Sequence, residues 1–312
     1  MASTHSRLIA IVGPTASGKS EIALALAERL GASILSADSM QVYRGMDIGT
    51  AKPTRAERAR VPHYLIDVAD PRDPFSVSDF REKAVAVVED HAERSVPLIV
   101  CGGTGLYFKA LFEGLAQGPP PNESYRAEME SIATEKGSAF LHGKLAQVDP
   151  LSAETIHPND RKRIIRALEI HRGTGATKKE LEEVQERPPF RDRVEWFGLL
   201  PPWAKLDERI EARVERMFEA GLVEEVKGLT ERGCSLEHTS MQALGYKETL
   251  AYLSGRSGLE ETKETIKQRT RRFARRQMTW FRTLSEVAWR DPSDDFERPG
   301  SLPNWILDRL CY

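Results

Sequence analysis

Leu8 to Val12 reads Leu-Ile-Ala-Ile-Val, a short apolar run with no polar alternation, and Gly13-Pro14-Thr15-Ala16-Ser17-Gly18-Lys19-Ser20 follows at once. The run has the character of a buried parallel strand. Glu21 to Leu30 then favours a helix, with Ile22, Leu24, Ala25, Leu26 and Ala27 along it and Gly31 as its stop. Strand, GxxxxGK[ST] and helix in succession are a P-loop in the context that the motif demands. The glycines let the backbone curl so that its N–H groups point inward, and the helix N-terminus adds the positive end of its dipole. Lys19 supplies a cation for the outer phosphates, and the Ser20 hydroxyl is placed to bind Mg²⁺. A P-loop commits the chain to an α/β fold, a doubly wound parallel sheet, and to a diphosphate or triphosphate ligand. Kinase, NTPase and transferase with a diphosphate leaving group all remain open.

Two further apolar runs end in residues that carry chemistry. Ala32 to Ser36 leads into Ala37-Asp38-Ser39, and Leu98 to Cys101 leads into Gly102-Gly103-Thr104-Gly105. Ligands of doubly wound sheets sit at the carboxyl ends of the strands. Asp38 and Thr104 are therefore expected beside the phosphate site, Asp38 as a base, a magnesium partner or a loop cap. The stretch from Met40 to Pro53 has no clear period and reads as a long functional loop. The apolar strand ending in Asp that an NTPase uses for Mg²⁺ is hard to find. Its best candidate, His63 to Asp67, has two aliphatic residues before the acid.

Composition sets limits on the rest. At 312 residues the chain has room for two domains at about 150 residues each. Hydrophobic residues at 40% and charged residues at 29% are those of an ordinary globular protein. A net charge of -2 and a pI near 6.4 carry no global sign of nucleic-acid binding, so any such role must rest on local clusters. Cys101, Cys234 and Cys311 are scattered, which fits reduced thiols and supports neither disulfides nor a zinc site. Nothing reads as a signal peptide, and no stretch approaches the roughly 18 apolar residues of a membrane span. The expected setting is the cytoplasm, with no membrane role.

Gly118-Pro119-Pro120-Pro121 is the strongest punctuation, and from Tyr125 to about Glu186 the pattern is helical and polar. Val194 to Leu200 returns as a buried strand. The expected organisation is a P-loop core in two parts, 1–118 and 191–312, around a helical insertion at 119–190. Arg161, Lys162, Arg163 and Arg166 make one basic cluster. A denser one comprises Lys267, Arg269, Arg271, Arg272, Arg275, Arg276 and Arg282, with no acidic residue between them. These side chains fall within roughly 200° of a helical wheel. Ile266, Phe273, Ala274, Trp280, Phe281 and Leu284 take most of the remaining arc and are expected as core anchors. A charged face of this kind is a solvated surface or a phosphate contact: seven uncompensated like charges repel, and a phosphate backbone would relieve them.

With GPTASGKS, ADSMQVYRGMDIGTAKP, VCGGTGLY, HPNDRKRIIRALEI, LDERIEARVERM, QALGYKE and RRFARRQMTWFR in view, in that order from Gly13 to Arg282, the chain resembles the tRNA dimethylallyltransferases, the IPP transferase family in its bacterial form. The resemblance implies that Gly13 to Ser20 hold the diphosphate of dimethylallyl diphosphate rather than ATP, with Mg²⁺. It implies Asp38 as general base on an adenine N6, and Thr104 and Arg213 as contacts to the diphosphate. Asp38, Ser39, Met40, Gln41 and Thr104 would grip the target adenosine, where the Gln41 carboxamide suits an adenine edge. Further tRNA contacts are implied at Arg126, Lys162, Arg163, Ile164, Ile165, Arg166, Gln242, Lys247, Arg271 and Arg275. The implied reaction prenylates adenosine 37 of tRNAs that read codons beginning with U, the insertion embraces the anticodon stem-loop, and the enzyme is a monomer. A free adenine-nucleotide prenyltransferase and a P-loop small-molecule kinase are the alternatives.

Overall fold

The computed structural model describes residues 7–116, 118–185, 187–284, 286–292 and 304–310. These residues divide into two compact units, one of 1–111 with 189–312 and one of 112–188. The first unit is built on a six-stranded parallel sheet. Its strands are β1 (Leu8–Val12), β2 (Ser33–Ser36), β3 (His63–Tyr64), β4 (Leu98–Gly102), β5 (Val194–Leu199) and β6 (Ala288–Arg290), in the order β3-β2-β4-β1-β5-β6. Every residue of β1, β2 and β4 is buried, as continuous apolar strands covered on both faces must be.

Helices cover both faces. On one side α1 (Lys19–Leu30) presses Ile22, Leu26 and Ala27 against Ile9, Ile11, Ile99 and Phe197, and the last helix, α14 (Asn304–Leu310), adds Ile306 and Leu310 to the same cluster. On the other lie α3 (Val77–Glu93), α4 (Gly105–Phe112) and α13 (Leu259–Phe281), where Phe80 stacks on Tyr107 at 3.8 Å and Phe108 meets Phe281 at 5.8 Å. The remaining helices of this unit are α2 (Arg55–Arg60), α10 (Trp203–Glu219), α11 (Leu222–Glu231) and α12 (Tyr246–Leu253).

The expected strand over His63 to Asp67 stops after two residues. Leu65 and Asp67 take left-handed φ of 60° and 57°, which ends any extended run. Asp67 is drawn instead into ion pairs with Lys52 at 2.6 Å and Arg58 at 2.6 Å. Cys101 and Cys234 are buried free thiols, and burial pushes the Cys101 thiol up to about 12. Cys311 lies outside the described residues.

The second unit is all helical: α5 (Glu123–Lys136), α6 (Ser138–Val148), α7 (Pro150–Thr155), α8 (Arg161–Thr174) and α9 (Lys178–Glu183). Its core gathers Tyr125, Met129, Leu141, Leu145, Ile164, Ile165 and Leu168. Ile164 and Ile165, expected among the tRNA contacts, are 0% and 4% exposed, so their side chains pack the unit and are not available to RNA. The 3.6-residue period of α8 turns both inward between Arg163 and Arg166.

One buried carboxylate organises this unit. Glu169, 3% exposed, accepts from Arg126 at 3.0 and 2.9 Å, from the Asn122 N–H at 2.7 Å, and pairs with Arg166 at 2.5 Å. Burial alone would raise its pKa, but the bonds from Arg126, Asn122 and Arg166 outweigh it and hold the carboxyl below its ordinary value of 4.5. A depressed carboxylate contributes stability above the ordinary value and loses it as pH falls through the lowered one. Glu169→Gln should therefore cost about 2 kcal/mol near neutrality, the worth of bonds to a charged group. Thermal unfolding followed between pH 7 and pH 3 should show the gap between wild type and variant closing as the solution is acidified.

Candidate active site

The chain leaves β1 through Gly13 and curls before α1. Gly18 sits at φ 90° and Ala16 at φ 65°. The left-handed position at Ala16, occupied by a residue with a Cβ, is strain of the sort that anion nests carry. The first turn of α1 aims N–H groups without intrahelical partners into the loop. Ser17 is fully buried and its hydroxyl has no hydrogen-bond partner among the described residues, an arrangement that costs free energy until a ligand oxygen arrives. Lys19 Nζ donates back across the loop to the Pro14 carbonyl at 2.9 Å, and Arg213 Nη1 on α10 donates to Thr15 Oγ1 at 3.2 Å. Burial lowers the pKa of both cations, with Asp38 opposing in each case; Cys101 also raises Lys19, and Arg213 lowers it further. Two cations held in one desolvated place are a demand for an anion.

The ends of β2 and β4 meet beside this cradle. Ala37 N–H donates to the Cys101 carbonyl at 2.8 Å, and Thr104 N–H donates to the Ala37 carbonyl at 3.1 Å. A Cβ on Gly102 would stand 2.1 Å from the Ala37 oxygen, so only glycine allows this approach. It brings Thr104 Oγ1 to accept from the Ser39 N–H at 3.0 Å. Asp38 Oδ1 accepts from the N–H groups of Met40 at 2.8 Å and Gln41 at 3.3 Å. Among the described residues its second oxygen has no partner. Asp38 is thus both a loop cap and a carboxylate with a free oxygen, two roles that sequence position left undecided. The Gln41 amide is engaged within the protein: Oε1 accepts from Ser36 Oγ at 2.9 Å, and Nε2 donates to the carbonyls of Thr50 and Ala51 at 3.3 Å each.

The long loop is held from inside. Lys52, with 1% of its side chain exposed, bonds the Tyr43 carbonyl at 2.7 Å and the Asp47 and Asp67 carboxylates at 2.6 Å each. The Glu225 carboxylate accepts from the N–H groups of Asp47, Ile48 and Gly49 at 2.9, 2.8 and 3.3 Å, and from Tyr246 Oη at 2.6 Å. Nothing local in the sequence marks Glu225 for this task.

Two cavities flank the cradle. One of about 570 Å³ is lined by Thr15, Asp38, Met40, Thr104, Arg213 and Gln277, with Gln242, Lys247, Arg272 and Arg276 also on its walls. The other, of about 900 Å³, is lined by Ser17, Lys19, Ser20, Arg209, Arg213 and Arg216. Arg213 borders both. Arg209 and Arg216 were not among the expected site residues, although their spacing of four and three from Arg213 puts all three on one helix face. Gln277 was missed as well, and its spacing carried no signal.

The basic face of α13 needs correcting. Its charges are not uncompensated: Lys267 pairs with Glu215 at 2.6 Å, Arg275 with Asp207 at 3.4 Å, Arg269 with Glu248 at 2.5 Å, and Arg271 with Glu211. The acidic partners come from α10 and α12, so no wheel of α13 alone could reveal them. Arg271 and Arg275 are thereby tied to acids of α10. Arg272 and Arg276 are in no ion pair among the described residues and face the smaller cavity. Phe273, expected in the core, is 38% exposed on the same cavity wall. In the second unit Arg126 and Arg166 are bound to Glu169, while Lys162 and Arg163 are exposed. Gln242 donates to the Leu236 carbonyl, and Lys247 is exposed.

A P-loop at the end of a central parallel strand, with Thr104 after the adjacent strand β4 and Asp38 after β2 beyond it, defines a P-loop α/β protein. The chain belongs to the IPP transferase family, whose model matches residues 41–284. It is 47% identical over 299 residues to the tRNA dimethylallyltransferase of Geobacter sulfurreducens, covering 95% of each chain. It is 45% identical over 307 residues to that of Halalkalibacterium halodurans, covering 97% and 98%. Among solved structures, the full-length tRNA isopentenylpyrophosphate transferase of Bacillus halodurans matches with a TM-score of 0.71 and 42% identity over 98% of this chain and 97% of that one. A eukaryotic dimethylallyltransferase acting on tRNA matches with a TM-score of 0.79 and 28% identity, over 92% and 74%.

Because burial lowers the pKa of Lys19, charging it disfavours the folded state below the ordinary lysine value, and stability rises with pH toward that value. Lys19→Met should lower pyrophosphate affinity by roughly 10- to 100-fold, the worth of one charge-assisted bond. The same variant, free of ligand, should melt at a temperature equal to or above wild type. Calorimetric titration with pyrophosphate and thermal melts of the free protein check the two halves separately.

Proposed function

We propose that this protein transfers a dimethylallyl group from dimethylallyl diphosphate to N6 of an adenosine in a tRNA anticodon loop. The observation that carries the reading is the free oxygen of Asp38 on a cavity that Arg213 and the P-loop residue Thr15 also line. Members of the same family described as tRNA dimethylallyltransferases and sharing 45–48% of its residues support it.

The bond between the allylic carbon and the diphosphate oxygen breaks, and charge grows on the leaving group. Lys19, Arg213, the Ser17 hydroxyl and the N–H groups opening α1 surround the cradle and would stabilise that charge, and fixed donors of this kind are the largest source of acceleration. The allylic carbon carries positive character and is captured by the adenine N6. Asp38 accepts the N6 proton as the nitrogen–carbon bond forms. Thr104, bonded to the Ser39 N–H, holds the same edge.

Among the described residues no three metal-ligating side chains cluster, and the exposed Ser20 hydroxyl opens α1 on the larger cavity. That suits a Mg²⁺ ion held chiefly by diphosphate oxygens and water, with Ser20 as its protein ligand. Such an ion would neutralise charge on the leaving group. An adenine in a stacked loop must be splayed out to enter the smaller cavity. Arg272, Arg276, Lys247 and Gln242 stand on its walls to receive the RNA, and Lys162 and Arg163 are among the solvent-facing basic residues of the second unit. The substrate position is adenosine 37 of tRNAs reading codons that begin with U. No described helix is long and apolar enough to cross a membrane, and the proposed setting is a cytoplasmic monomer.

The test is transfer of radiolabelled dimethylallyl diphosphate, with Mg²⁺, to an anticodon stem-loop containing consecutive adenines. Asp38→Asn keeps an oxygen to cap Met40 and Gln41 but cannot take a proton. It should fold as wild type and lower kcat by about 10²–10⁴-fold, the range of general base catalysis. Label entering AMP alone would move the protein to free-nucleotide prenylation. ATP turnover without prenyl transfer would sink the reading.

A further inference from the structure

One side chain spans the two halves of the site. Gln277, on α13 and only 7% exposed, accepts the Thr15 N–H at 2.8 Å through Oε1 and donates to the Gly103 carbonyl at 2.8 Å through Nε2. Burying a carboxamide is unfavourable unless both ends are bonded. Here the bonds go to the phosphate loop and to the β4 strand end, not to its own helix. Gly103 admits it, since a Cβ there would stand 2.3 Å from Gln277 Nε2. Two residues on, a Cβ at Gly105 would stand 2.1 Å from the Trp280 ring. Helix α13 therefore presses onto the turn after β4 at two nearby glycines and reaches through to the P-loop.

Thr15 is where this matters most. Its hydroxyl takes the bond from Arg213, its N–H is held by Gln277, and the next residue, Ala16, is in the left-handed region at φ 65°. A strained loop keeps its shape only where its surroundings over-determine it. Without the amide, the Thr15 N–H would be left half-buried and free to turn, and the Gly103 carbonyl would lose its donor.

We infer that Gln277 is a positioning residue for prenyl transfer, fixing the distance between the cradle for the leaving diphosphate and the Asp38–Thr104 edge that receives the adenine. It also ties both to α13, whose Arg272 and Arg276 face the acceptor cavity. The inference rests on the proposed function, and one arm of its test does not.

Wild type, Gln277→Met and Gln277→Ala are compared in three measurements: steady-state prenyl transfer to the stem-loop, calorimetric binding of inorganic pyrophosphate, and thermal unfolding. Methionine keeps the length of the side chain and a good helix preference but makes neither bond. Gln277→Met should lower kcat and weaken pyrophosphate binding, each by roughly tenfold or more, the scale of a buried group left unbonded. KM for the RNA should stay within about twofold of wild type, the split expected of an interaction felt at the reacting centre rather than in RNA docking. Gln277→Met with wild-type kcat and pyrophosphate affinity would overturn the inference, even if Gln277→Ala were impaired, because the role would then be space filling. A wild-type protein that transfers no prenyl group would sink the proposed function instead. In that case the pyrophosphate titration still decides whether Gln277 orders the loop.

Discussion

The close approach of two strand ends is the contact on which the site depends. The β4 backbone at Gly102 lies so near the Ala37 carbonyl that no side chain fits between them. That proximity lets Thr104 donate to Ala37 and accept from Ser39, which in turn fixes the turn capped by Asp38. Because β4 runs between β2 and β1, the same contact sets where Asp38 stands relative to the P-loop at the end of β1. A parallel sheet has one carboxyl edge, so residues far apart in the chain are delivered to one line.

Charge is treated in two opposite ways in this molecule. On α13 and in the helical unit, several cations are neutralised: Lys267, Arg269, Arg271 and Arg275 each have an acidic partner, and Arg126 and Arg166 share Glu169. At the cradle the pattern reverses. Lys19 and Arg213 donate to a carbonyl and a hydroxyl, and burial lowers both of their pKa values. Desolvated cations that form no ion pair among the described residues, offset only by the nearby Asp38 charge, are unfavourable in the free protein, and an anionic ligand removes that cost as it binds. Site and scaffold are thus distinguished by where the compensating charge is missing, not by the number of charges.

The parts of the site legible in the sequence were those encoded within a few residues. The P-loop could be read because strand, glycines, lysine and helix follow one another directly. Asp38 and Thr104 could be read because each ends an apolar run, and strand ends are where ligands sit. The basic face of α13 was read correctly as a periodicity and wrongly as an uncompensated field, since Asp207, Glu211, Glu215 and Glu248 lie on other helices. Phe273 looked like core from its place on the wheel, yet it stands at the wall of a cavity that only the packed structure encloses. Ile164 and Ile165 were expected as RNA contacts from the family resemblance alone, and helical period turned them inward.

By itself the sequence determined the class of fold, the phosphate cradle and the residue types of its chemistry, because those features rest on local backbone preference and short-range spacing. Tertiary structure alone decided that Gln277 would bond both loops and that Glu225 would cap the N–H groups of Asp47, Ile48 and Gly49. Each of these is a contact between groups more than a hundred positions apart in the chain. Their pairing depends on how helices dock on the sheet, and docking follows the shape and burial of whole faces rather than the identity of any one residue.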